Sequence, residues 1–164
     1  MALFAVVNMG LEDDDSQVNI NAMVLLLDIM ENHYGNFGEL TNDKNFAGQI
    51  VDQLLFKLAS VDKILRNKAL DALEKISYYP LTGYKQQIDR MFASDGYQTS
   101  KNPVLNWNHT ITKLKHLQLL VLLHQINGKK YDASRISEFA VRYLDHQSPE
   151  VRENAYLVLL RQYE

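Results

Sequence analysis

The sequence predicts an all-α chain built from stacked helix pairs, and three observations carry that prediction. Apolar residues recur at helical spacing from end to end, and no segment of any length alternates with the period of a strand. The stretches between them are short and rich in cap and turn residues. Most telling, residues 144–160 repeat the plan of residues 58–73, with Leu58 and Leu144, Asp62 and Ser148, Arg66 and Arg152, and Ala69 and Ala155 each 86 positions apart.

Composition sets the limits within which that repeat is read. A chain of 164 residues with 46% hydrophobic and 23% charged residues can bury a sizeable core, so residues 1–164 are expected to form a single domain. Seventeen basic against twenty acidic residues give a net charge of −3, which disfavours a protein that holds nucleic acid through its phosphates. No cysteine is present, so disulfides, thiol catalysis and cysteine-ligated zinc are excluded. The opening apolar stretch lacks a basic leader and meets Asn8, and neither it nor the apolar run 22–27 is long enough to span a bilayer. No membrane partner and a soluble, intracellular protein are expected.

Residues 2–9 read as a helix without a leading cap, and an N-terminally truncated array is the expectation. Gly10 is placed at the end of that helix, and the acids of 12–15 with Ser16 cap the next. From Gln17 to Tyr34, Val18, Ala22, Leu25, Leu26, Ile29 and Met30 make one face. Ile20, Val24 and Leu27 make a second, so this helix is expected to be covered on two sides. Asp43 caps a helix through Leu58, with Phe46, Ile50, Val51, Leu54 and Leu55 inward. Asp62 caps the next, whose buried face is Leu65, Ala69, Ala72, Leu73 and Ile76, and Pro80 forbids its continuation.

A shorter helix over 84–93 turns Ile88, Met91 and Phe92 inward, and the polar segment 94–102 follows as a projecting loop. Asn102-Pro103 opens a long helix to about residue 126 through Ile111, Leu114, Leu117, Leu120 and Val121, and Gly128 stops it. Asp132 or Ser134 starts another, with Ile136, Phe139, Ala140, Tyr143 and Leu144 inward. Ser148-Pro149 opens the last, with Val151, Ala155, Val158 and Leu159 in the register of Leu65, Ala69, Ala72 and Leu73. Eight helices in about four pairs, at half of the 86-residue offset per pair, fall in the period range of HEAT or armadillo units. The fold expected is therefore an α-solenoid of about four HEAT-like pairs.

Signs of chemistry are sparse. His109, His116 and His124 share one helix, but spacings of seven and eight residues put them roughly 10–12 Å apart at 1.5 Å per residue, too far for one tetrahedral ion. No phosphate loop, nucleophile elbow or HExxH motif occurs. Neither catalysis, metal nor cofactor is expected. Arg66 and Arg152, four residues beyond matched caps, are expected to fold back on an acid or carbonyl of a neighbouring unit, with direct ligand contact as the alternative. Trp107, the one tryptophan, is either an interface anchor beside the loop or a core residue. In helix-pair repeats the turns inside successive pairs share one edge, here 10–15, 59–62, 94–102 and 145–148, and that ridge is the expected binding surface, with Lys63, Lys101 and Asn102 as polar contacts.

The signatures 60–69 and 136–155 resemble the HEAT units of TOG domains, most nearly those of the 104-kilodalton centrosomal protein family, and the resemblance runs from about residue 2 to the end. It implies a non-catalytic domain that binds αβ-tubulin along the ridge, in company with other ciliary or centrosomal proteins, and regulates microtubule ends at the centriole or ciliary tip, within the cytoplasm and cytoskeleton. By position it implies tubulin contacts at Ser60, Asp62 and Lys63, at Lys101, Asn102 and Trp107, and at Gln147 and Ser148. TOG domains usually carry a leading repeat with a tryptophan in its first turn, and the expectation is that these residues begin after that repeat. The acids of 12–15 place negative charge on the same ridge, opposing an acidic partner. Two other readings differ in kind. One is a HEAT scaffold that holds a peptide or helix on its concave face. The other is a HEAT-like DNA glycosylase, which would need a basic concave face that the net charge of −3 disfavours.

Overall fold

The computed structural model describes residues 2–32, 44–79, 82–93, 110–127 and 132–163. Among them are eight helices and no strand: α1 (Ala2–Glu12), α2 (Ser16–Asn32), α3 (Lys44–Lys57), α4 (Lys63–Ile76), α5 (Tyr84–Ala93), α6 (Thr110–Asn127), α7 (Ala133–Val141) and α8 (Pro149–Tyr163). None of them is long and apolar enough to cross a membrane. The chain is all-α, as its periodicity predicts.

The helices pack in a regular scheme. Each odd helix lies against the even helix that follows it, in the pairs α1–α2, α3–α4, α5–α6 and α7–α8. Even helices also pack on even ones, α2 on α4, α4 on α6 and α6 on α8, while α1 packs on α3 and α3 on α5. The Phe92 and Phe139 rings meet edge-on at 5.3 Å between centroids, and the Arg135 guanidinium lies 4.7 Å from the Phe92 ring centre, which joins α5 to α7. One continuous apolar core runs from Val7 to Val158 between these helices.

The predicted inner faces of α3, α4 and α5 are observed at Ile50, Val51, Leu54, Leu55 and Leu58, at Leu65, Ala69, Ala72, Leu73 and Ile76, and at Ile88, Met91 and Phe92, all buried, while the Phe46 side chain lies outside those described. Fully burying a leucine such as Leu73 is worth about 1.5–3 kcal/mol. Alpha-2 departs from its expected faces. Ala22, Leu26, Ile29 and Met30 are buried as expected between α1 and α4, but Val18 and Val24 are 39% and 54% exposed, while Met23 and Asn19 are buried. Ile20 and Leu27 do pack against the core.

Gly10 is not the end of α1, which runs on to Glu12. A Cβ there would stand 2.8 Å from the Ala22 Cβ, so glycine is needed for the close crossing of α1 and α2. Alpha-7 stops at Val141, earlier than expected, and Tyr143 and Leu144 pack against the core from the turn that follows. The helix start at Asn102-Pro103, the loop 94–102 and Gly128 lie outside the described residues. So do Asp43 and Pro80.

Side chains close the free ends of α4. Buried Gln87 donates to Leu73 O at 2.7 Å and Thr82 O at 2.9 Å, and Thr82 Oγ1 donates to Ile76 O at 2.8 Å. The last carbonyls of a helix need such partners when they are buried. Helix α5 is thereby fixed against the end of α4. Arg90 reaches from α5 across Gly48 to the Asp52 carboxylate of α3, and a side chain at position 48 would collide with it.

Candidate functional site

The turns that join the helix pairs are the strongest candidate surface, and each is assembled from its own side chains. In turn 13–15, Asp13 Oδ1 accepts from Asp15 N at 2.8 Å, and Asp15 Oδ1 caps α2 by accepting from Gln17 N at 2.7 Å and Val18 N at 3.2 Å. Buried Asn19 donates to Gly10 O at 2.8 Å and Asp13 O at 2.9 Å, tying the turn to α2. The acidic run is thus partly a cap, and its carboxylates at Glu12, Asp13 and Asp14 remain exposed.

Turn 58–62 is held more tightly. Asp62 Oδ1 accepts from Ile64 N at 2.8 Å and Leu65 N at 3.3 Å, which satisfies two of the free amides that open α4. Ser60 Oγ accepts from Asp62 N at 3.1 Å. Arg66, one turn into α4, folds back and donates through Nη1 to Ser60 O at 2.6 Å and Val61 O at 2.9 Å.

Turn 142–148 reproduces that arrangement 86 positions later. Arg152 Nη1 donates to His146 O at 2.7 Å and Gln147 O at 3.0 Å. His146 Nδ1 accepts from Ser148 N at 3.1 Å, taking the part that Ser60 Oγ plays in the earlier turn. That bond requires the imidazole neutral with its proton on Nε2. Burial in the turn, then the nearby Lys113 and Arg152 cations, push His146 below the ordinary histidine pKa, in keeping with the bond. Both arginines therefore grip carbonyls of their own turn and not of a neighbouring unit. A guanidinium one helical turn beyond the cap reaches back over it to the carbonyls of the turn.

Cations gather between these two turns. Lys115 of α6 donates to Asn67 Oδ1 of α4 at 3.1 Å, and burial followed by the Arg66 charge lowers its pKa, with Lys63 adding to the effect and Asp71 opposing it. Lys113 lies 5.3 Å from the centre of the Tyr143 ring, beside His146. Lys63, Arg66 and Lys115, with Asp71 among them, make one basic group, and Lys113 and Arg152 beside His146 make a second, joined through α6 into a basic strip on a chain whose net charge is −3. Like charges brought together repel, so the strip needs an opposing group to be favourable.

The expected site residues fall as follows. Ser60, Asp62 and Lys63 share turn 58–62 and the start of α4, where Ser60 and Asp62 are half-buried and Lys63 is exposed. Gln147 is exposed and Ser148 half-buried in turn 142–148. The two groups are separated by α6, against which both α4 and α8 pack. Lys101, Asn102 and Trp107 lie outside the described residues. Lys113 and Lys115 were not picked out by sequence reasoning.

The first two turns flank a cleft of about 640 Å³, lined on one side by Glu12, Asp13 and Asp14, on the other by Phe56 and Val61, with Thr112 of α6 also in its wall. Lys57 Nζ bridges the two turns by donating to Asp13 O at 3.4 Å. Burial lowers the pKa of this ammonium, while Asp14 and Asp13 act to raise it. Elsewhere the polar interior is structural. His116 is buried in α6 and burial alone pushes it down to about 3, so it is neutral at ordinary pH. Among the described residues no three metal-binding side chains come together.

No protein-family model matches this chain, and no curated protein does. Among solved structures it is similar to an engineered protein determined by the Northeast Structural Genomics Consortium, with a TM-score of 0.43 and 18% identity over 98% of this chain. The chain spans 62% of the length of that protein.

Proposed function

We propose that the chain is a non-catalytic interaction module, an α-solenoid of HEAT-like pairs, whose turn edge binds an acidic protein surface, with αβ-tubulin as the partner. The observation that carries this reading is the pair of basic groups, Lys63 and Arg66 with Lys115, and Arg152 with Lys113, that flank two turns locked by arginines in the same way. Rigid turns presenting cations in fixed positions lose little conformational freedom on binding and favour a complementary acidic face. The recurrence at 86 residues and the odd–odd, even–even packing support the solenoid. A place at the ciliary tip or centriole belongs to the same proposal and rests on the resemblance of 60–69 and 136–155 to TOG units.

The test is co-migration with αβ-tubulin on gel filtration at low and moderate salt. Complex formation that weakens with salt, and at least tenfold with Lys63→Glu and Lys115→Glu together, is expected. Absence of a complex at tens of micromolar would reject the tubulin reading. A complex indifferent to both substitutions would move the interface to another face and favour a peptide-binding scaffold.

A further inference from the structure

We propose that the cleft between turns 13–15 and 58–62 is a binding site for a basic side chain, arginine foremost, presented by a protein partner. Three carboxylates, Glu12, Asp13 and Asp14, stand on its rim against the one ammonium of Lys57, so the cleft carries negative charge beside the basic strip. Lys57 is a buried residue whose ammonium is directed to Asp13 O, so it bridges the turns, and the three rim residues remain exposed. An independent observation comes from the wall. Thr112 is 4% exposed, lines the cleft, and its hydroxyl has no hydrogen-bond partner among the described residues. A buried hydroxyl without a partner costs about 1–3 kcal/mol, and a ligand's N–H can supply the missing bond.

The opposite wall suits the remainder of such a side chain. Phe56 is half-buried, and Val61 is 92% exposed at the mouth. An arginine stem can lie along these apolar groups while its guanidinium meets the carboxylates, since long basic side chains cover apolar surface with their methylenes and keep the charged head among polar groups. A partner that offers an acidic face to the strip and a basic residue to the cleft would be bound in one orientation only, because the reversed pose sets like charges together. The cleft inference does not depend on tubulin, and its test uses no tubulin.

The probe is Nα-acetyl-arginine amide, titrated into the 15N-labelled domain, with Nα-acetyl-citrulline amide as the uncharged analogue of the same shape. Saturable shifts at the amides of Asp13, Asp14 and Thr112 with the arginine probe, and binding at least fivefold weaker for citrulline, are expected. Glu12→Gln, Asp13→Asn and Asp14→Asn together keep the side-chain oxygens that accept from Asn8 Nδ2 and Asp15 N, so the turn is retained while the charge is lost. This triple variant is expected to bind the probe at least fivefold more weakly, and Thr112→Val, which keeps the shape, about two- to fivefold more weakly. Equal shifts from arginine and citrulline, shifts that map away from the cleft, or unchanged binding by the triple variant would each overturn the proposal.

Discussion

Turns 58–62 and 142–148 use one backbone solution with different side chains. In both, an arginine one turn into the following helix clasps two successive carbonyls, and a side-chain acceptor two residues before the cap position receives the cap residue's amide. What differs is the acceptor, a hydroxyl in one and an imidazole in the other, and the cap itself. Asp62 bonds the Ile64 and Leu65 amides that open α4, while Ser148 is followed at the first helical position by Pro149, which leaves one amide fewer there to satisfy. The arginine clasp is thus the part the architecture needs, and the electrostatics around it are free to vary. That freedom lets one edge carry acids at 12–15 and cations from Lys63 to Arg152.

The comparison can be broken most forcefully at α6, on which the helices of both turns lean. His116 has a folded pKa of about 3 against 6.5 unfolded, so the folded state excludes a proton that the unfolded state binds. Its stabilising contribution is complete above about pH 6.5 and is lost as pH falls toward 3, by several kcal/mol at about 1.4 kcal/mol per unit. His116→Leu should flatten that loss in urea unfolding measured from pH 7 to pH 4, and an unchanged slope would show that acid unfolding starts elsewhere.

Next in size are the clasps. Hydrogen bonds from a charged donor are worth about 1.5–3 kcal/mol, so Arg66→Ala should cost about 2 kcal/mol. Arg152 is the more exposed of the two, and Arg152→Ala should cost about 1 kcal/mol, since water competes for its carbonyls. Equal losses in chemical denaturation would mean that burial does not separate the two turns. The caps follow. Asp62→Ala removes two bonds to α4 and should cost about 1 kcal/mol, while Ser148→Ala should stay within about 0.5 kcal/mol. Circular dichroism melts of the two variants give the difference directly.

The smallest expected effect exchanges the acceptors. His146 is held below its ordinary pKa, so its turn is most stable with the ring neutral and weakens as pH falls through and below about 6.5. Ser60 cannot titrate there. His146→Ser should remove the pH-dependent shift of the Ser148 amide in an NMR titration, and Ser60→His should introduce one at Asp62. If neither happens, the two acceptors are not interchangeable and the likeness of the turns is limited to the arginines.

Much of this architecture is legible in the residues because it is local. Helix existence and the inner faces of α3, α4 and α5 follow from the spacing of apolar side chains, and the cap at Asp62 from short-range chemistry. The matching of turn 58–62 to turn 142–148 follows from the 86-residue offset alone. The expected site was legible in part: Lys63 and Gln147 are exposed on the predicted turns, but Lys113 and Lys115 escaped notice because their place beside those turns depends on where α6 lies.

What only the tertiary structure decided are relations between distant residues. Alpha-2 exposes Val18 and Val24 because its neighbours approach from other directions, and Gly10 is required by Ala22 rather than by the end of a helix. Gln87 is buried because the carbonyls of α4 need donors that α5 brings to them. The cleft at Thr112 exists because three segments far apart in the chain meet there. Periodicity records which face of a helix is apolar, but it holds no information on which other helix arrives, at what angle, and which polar groups are carried in with it.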